Sequence, residues 1–89
     1  MHGNKEAALK RLRRIEGQVR GIAGMIESDR YYVDVLGQTA AISSALRAVE
    51  QLILDEHAAH CVEDAIASGD PDAQREKFGE LVRIIAKRG

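Results

Sequence analysis

The sequence predicts an all-α fold, with three helices making up one protomer. Two observations carry this, and a third sets the boundaries. Apolar residues recur at helical spacing in three successive segments, and strand-type patterning is weak throughout. The only strong punctuation is Ser68-Gly69-Asp70-Pro71. The first helix is expected from about Lys5 to Glu27, because Leu12, Ile15, Val19, Ile22 and Ile26 follow one another by three or four residues and share a face. Ser28-Asp29 offers a cap for the second helix. That helix is expected over residues 31–67, on the seam Val35, Thr39, Ile42, Leu46, Val49 and Ile53, continuing towards Cys61 and Ile66. Gly69 suits the left-handed position after a helix, Asp70 a cap and Pro71 a first helical residue. The third helix is therefore expected over residues 71–87, with Phe78, Leu81, Val82 and Ile85 as its apolar face.

Length limits what this protomer does alone. Eighty-nine residues make one small helical domain, 1–89, which buries only a modest fraction of its surface. A helix over residues 31–67 is about 55 Å long at 1.5 Å per residue. Its seam is covered only if something equally long lies beside it, which predicts a bundle completed by a second copy. Gly17, Gly21 and Gly24 inside the first helix each cost roughly 1 kcal/mol relative to alanine. They fit either a close helix–helix approach or a weak, mobile helix.

Cys61 is the only cysteine, so no disulfide framework exists within the chain. A lone thiol without a secretion signal, and without the roughly 20 apolar residues that cross a bilayer, points to a reducing, cytoplasmic setting and no membrane. The net charge of −1 hides an asymmetry. Residues 5–20 carry Lys5, Lys10, Arg11, Arg13, Arg14 and Arg20 against Glu6 and Glu16, a local +4 that leaves −5 for the remainder. Such segregation builds an anion-binding surface on a nearly neutral chain. On charge alone the basic face reads as a solvated helix surface or as a row of phosphate contacts. Helix-turn-helix spacing, zinc-finger spacing and aromatic interleaving are all missing.

His57, His60 and Cys61 form the single metal-like cluster. His57 and Cys61 are four apart and so point to one helix face. Imidazole with thiolate is a soft pair suited to Cu(I) or Zn(II), but two donors leave the site open and call for a third from elsewhere. The plainer reading of a bare His-x-x-x-Cys is a buried cysteine beside a surface histidine. Tyr31 and Tyr32 read first as aromatic packing at a helix start, and second as hydrogen-bond partners to a metal ligand. Enzymatic function is not expected. The sequence holds no phosphate-cradling glycine loop and no Gly-x-Ser-x-Gly, and nothing in so small a chain supplies an oxyanion hole for a Cys61–His57 pair.

Four stretches together resemble the copper-sensing operon repressor family, whose relatives sense nickel, cobalt or formaldehyde. They are Arg11-Leu12-Arg13-Arg14-Ile15-Glu16-Gly17-Gln18-Val19-Arg20-Gly21-Ile22, Asp29-Arg30-Tyr31-Tyr32-Val33-Asp34-Val35-Leu36, Asp55-Glu56-His57-Ala58-Ala59-His60-Cys61-Val62 and Gly79-Glu80-Leu81. The resemblance implies an antiparallel four-helix-bundle dimer, a dimer-of-dimers tetramer, and repression through double-stranded operator DNA that an effector releases. Arg11 matches a DNA-contacting arginine of that pattern, with Lys10 and Arg14 as neighbours. His57 and Cys61 match a metal-ligand pair, and Tyr31 and Glu80 match residues that hydrogen-bond around it. In the copper branch the pair is completed by a cysteine from another subunit, and that position is Tyr32 here. A phenol is a hard donor that stays protonated at neutral pH, so it replaces a thiolate poorly.

Three effector readings follow. His57 and Cys61 bind Cu(I) or Zn(II) with His60 or His2 as substitute third ligand; Cys61 is instead the target of a thiol-reactive molecule; or no effector is bound. The first is preferred because Tyr31, His57, Cys61 and Glu80 are all present. A rival class is a small helical metal carrier that never touches DNA, for which the exposed Arg11, Arg13 and Arg14 would have no use.

Overall fold

A computed structural model describes residues 3–88, and three helices fill them: α1 (Lys5–Glu27), α2 (Tyr32–Ser68) and α3 (Pro71–Arg88). The expected boundaries hold to within a residue, and no strand occurs among the described residues. None of the helices is long and apolar enough to cross a membrane. Contacts group the chain into two compact units, up to Ile53 and from Leu54 onwards, with α2 contributing to both.

In the first unit, α1 runs antiparallel to the first half of α2. Asn4 Nδ2 donates to the Leu52 carbonyl at 2.9 Å, tying the start of one to the far end of the other. Ala8, Ile15 and Val49 are buried, with Ile42, Ala45 and Leu52 packed against them. Only part of each predicted seam is covered: Leu12, Val19, Ile26, Leu46 and Ile53 stay exposed, Ile26 at 61%. At roughly 25 cal/mol per Å² of apolar surface, such faces gain substantially from being covered.

The α1–α2 connection departs from expectation. Ser28-Asp29 terminates α1 instead of capping α2. Arg30 N–H donates to the Met25 carbonyl at 2.9 Å and Asp29 N–H to the Ile26 carbonyl at 3.1 Å, with Asp29 in the left-handed region at φ 56°. This double bond closes a helix C-terminus. Ser28 Oγ donates back to the Gly24 carbonyl at 2.9 Å, so its side chain belongs to α1 as well. Capping residues suit both ends of a turn, and aspartate tolerates positive φ, which is why the sequence alone placed the cap on the wrong helix. The Tyr31 carbonyl accepts from Asp34 and Val35 N–H to open α2.

The second unit pairs the end of α2 with α3. Its turn is as the sequence predicts. Gly69 sits at φ 64°, Asp70 Oδ1 accepts from Asp72 N–H at 3.0 Å, and Pro71 is the first residue of α3. Gln74 Nε2 donates to the Ala65 carbonyl at 3.2 Å across the pair. Cys61 and Ala65 are buried here, whereas Phe78, Val82 and Ile85 of the predicted α3 face remain exposed.

Candidate functional site

The first unit gathers the predicted basic residues. Lys10, Arg11 and Arg14 lie within one helical turn on α1 and, with Ala7, line an open groove of about 320 Å³. Among the described residues none of Lys10, Arg11, Arg13 or Arg14 is ion-paired, while Glu16 is engaged by Arg20 at 2.9 Å. Three cations that converge without a carboxylate repel one another, and an anion between them relieves that repulsion. Tyr31 and Tyr32 belong to this unit as well, at the start of α2. Both are exposed, Tyr32 at 80%, and neither hydroxyl is hydrogen-bonded among the described residues.

The second unit brings together His57, Cys61 and Glu80. Residues 57 and 61 ascend α2 while 80 and 77 descend α3, so the two helices meet in matched steps. His57 Nε2 lies 3.7 Å from Glu80 Oε1, and Lys77 Nζ lies 3.7 Å from Glu80 Oε2. These distances are electrostatic contacts longer than a hydrogen bond. Both pairs are substantially exposed, so each contributes little to stability on its own. Cys61 is 6% exposed, and its thiol faces the Lys77 carbonyl at 3.6 Å, a weak S–H donation. Val62, Ala65, Lys77, Phe78 and Leu81 close around it and leave no room for a water molecule.

His60 is turned away from this pair. One residue before Cys61 is a step of about 100° around the helix. There its Nε2 lies 3.7 Å from Glu56 Oε1 and its Nδ1 lies 3.9 Å from Glu63 Oε2. Both ring nitrogens thus face carboxylates of α2, and the protomer does not offer His60 as a third donor beside His57 and Cys61. His2 lies outside the described residues. No group of three metal-binding side chains is assembled among the described residues.

Sequence reasoning missed two participants. Glu56 is buried, which an acidic residue flanked by polar neighbours gives no reason to expect. The Lys77 backbone carbonyl is the partner of Cys61, and no sequence pattern marks a carbonyl whose position depends on how α3 packs. The His57–Glu80 pairing was visible only through the resemblance.

Comparison with known proteins places the chain among metal-responsive repressors. The profile of the family described as metal-sensitive transcriptional repressor matches residues 4–87. The copper-sensing transcriptional repressor RicR of Mycobacterium tuberculosis is 54% identical over 83 residues, spanning 93% of this chain and 85% of that protein. The copper-sensing transcriptional repressor CsoR of Bacillus subtilis is 47% identical, spanning 93% and 79%. Among solved structures, the copper-sensing repressor CsoR with Cu(I) from Geobacillus thermodenitrificans superimposes with a TM-score of 0.82 at 42% identity, covering 98% of this chain and 88% of that one. The nickel-responsive transcriptional regulator InrS gives 0.80 at 35% identity, covering 92% and 89%.

Proposed function

The chain belongs to the metal-sensitive transcriptional repressor family, and from that premise we propose that it binds double-stranded operator DNA through Lys10, Arg11 and Arg14 and is released by a metal ion taken up at His57 and Cys61. One observation carries the DNA reading: three unpaired cations converge on a single groove. Each phosphate they neutralise frees condensed counterions, so binding weakens steeply with salt. A metal carrier that never touches DNA has no use for this groove.

The donor set supports a metal in part. His57 and Cys61 supply one soft thiolate and one imidazole from a single helix face. Glu80 faces Nε2 of His57, which favours the proton there and leaves the Nδ1 lone pair as donor. Cys61 must give up its proton and its contact with the Lys77 carbonyl to ligate. No third donor is assembled beside the pair among the described residues of one protomer, so it comes from His2, from a second copy, where Tyr31 and Tyr32 stand at the start of α2, or from solution. Cu(I) is the proposed effector because relatives named as copper-sensing are 54% and 47% identical to this chain, with Zn(II) as the alternative for a site holding only one thiol. Two protomers pair their uncovered seams into a four-helix bundle, and dimers pair into a tetramer. A DNA-bound regulator with a reduced thiol works in the cytoplasm.

The test is Arg11→Glu. Reversing that charge is expected to lower affinity for a duplex from upstream of the gene by a factor of roughly 100 or more, the size of one or two charge-assisted contacts. Helicity by circular dichroism and mass by sedimentation should not move. Unchanged affinity would place the DNA surface elsewhere.

A further inference from the structure

One residue of α3 is linked to both His57 and Cys61. The Lys77 carbonyl accepts from the Cys61 thiol at 3.6 Å. The Lys77 ammonium lies 3.7 Å from Glu80 Oε2, and the other oxygen of that carboxylate, Oε1, lies 3.7 Å from His57 Nε2. Glu80 therefore stands between a lysine and a candidate ligand, with no other charged partner among the described residues. A Lys–Glu pair three residues apart on an exposed helix face is ordinarily a solvated pair that does little. This one differs because its carboxylate is shared with His57, which the charge pattern of α3 alone does not reveal.

We propose that Lys77 is a positioning residue that lowers the metal affinity of the His57–Cys61 pair by holding the Glu80 carboxylate back from His57, and so sets the metal concentration at which the repressor lets go of DNA. This rests on the metal reading above and deepens it. A ligating imidazole is strengthened when its other ring N–H donates to a carboxylate, because that bond fixes the ring and raises the basicity of the donor nitrogen. At 3.7 Å the bond is not made. Charge-assisted N–H···O contacts close at about 2.7–2.9 Å, so the carboxylate has roughly 1 Å to travel. The ammonium opposes this in two ways. It attracts Glu80 Oε2, and it offsets the negative charge that would stabilise the His57 N–H. The Lys77 carbonyl is at the same time held by Cys61, which keeps this turn of α3, and the lysine with it, beside the pair.

A double-mutant cycle with Glu80 tests this. Lys77→Met keeps an unbranched side chain and the backbone carbonyl but removes the charge. Cu(I) affinity, measured anaerobically against a chromophoric chelator, should rise about two- to fivefold, the worth of one exposed charge pair. The Cu(I) concentration that half-releases an upstream duplex should fall by the same factor. Lys77→Gln should match Lys77→Met, and Lys77→Arg should keep the wild-type value. In a Glu80→Gln background Lys77→Met should change nothing, because the restraint acts through that carboxylate. Circular dichroism should show the same helicity throughout. If Lys77→Met and Lys77→Gln both bind Cu(I) as the wild type does, the lysine is a surface pair only and this inference fails alone. If the gain is as large in Glu80→Gln, the lysine acts on the ion directly and the proposal is overturned. If the wild type binds neither Cu(I) nor Zn(II), or Cys61→Ser binds Cu(I) as tightly as the wild type, the metal reading itself fails and takes this one with it.

Discussion

Cys61 is the only thiol in the chain, and its surroundings govern what it does. It is closed in by α3 and spends its weak donor on the Lys77 carbonyl, so a ligand reaches it only as that contact opens. The spacing of His57 and Cys61 announced their shared face, because four residues return a helix almost to the same side. What the imidazole faces was legible only through the resemblance, and the partner of the thiol not at all, since Glu80 and Lys77 arrive from another helix and their approach depends on tertiary packing. The same holds for His60: its spacing allows it to join a metal, yet Glu56 and Glu63 draw it to another side of α2. Tyr32 gives the sharpest prediction at this scale. Tyr32→Cys adds a second soft donor at the start of α2, and Cu(I) affinity measured against a chromophoric chelator should rise at least tenfold, about 1.4 kcal/mol. An unchanged affinity would mean that the start of α2 does not approach the His57–Cys61 pair in any copy.

Helix ends show how local chemistry becomes local structure. The Gly69-Asp70-Pro71 turn was fully readable because each residue has one favoured position: left-handed backbone, cap and first helical residue. Ser28-Asp29 was not, because the same two residue types close one helix as readily as they open the next. Two glycines should respond oppositely to alanine. Gly69→Ala forces a Cβ into φ 64° and should cost about 1–2 kcal/mol. Gly24→Ala meets nothing within 4 Å in a helix interior and should gain about 1 kcal/mol. Thermal unfolding at one fixed protein concentration checks both, since about 1 kcal/mol moves Tm by about 4–8 °C in a domain this small.

At the scale of the whole molecule, the three helices were legible to within a residue, and the length of α2 already called for a second copy beside it, but which seam residues the protomer leaves uncovered was not legible. Leu12, Val19, Ile26, Leu46 and Ile53 follow the predicted periodicity and yet face solvent in the protomer. In the proposed bundle a second copy covers them. Sedimentation at micromolar concentration should find a dimer or tetramer, and dilution should lower Tm because folding and association are then linked. A folded monomer with a concentration-independent Tm would contradict the bundle. The basic surface was legible from the run of charges in residues 5–20, although only the structure shows that Lys10, Arg11 and Arg14 converge without a carboxylate.

The proposed function requires one protein to join a DNA-binding surface to a metal-responsive pair. It is tested most directly by fluorescence anisotropy on a duplex from upstream of the gene, titrated anaerobically without and then with one equivalent of Cu(I) per protomer. Tight, salt-sensitive binding that the metal reverses is expected, with no reversal in Cys61→Ser. Binding that neither Cu(I) nor Zn(II) alters, with Cys61→Ser behaving as the wild type, would contradict it.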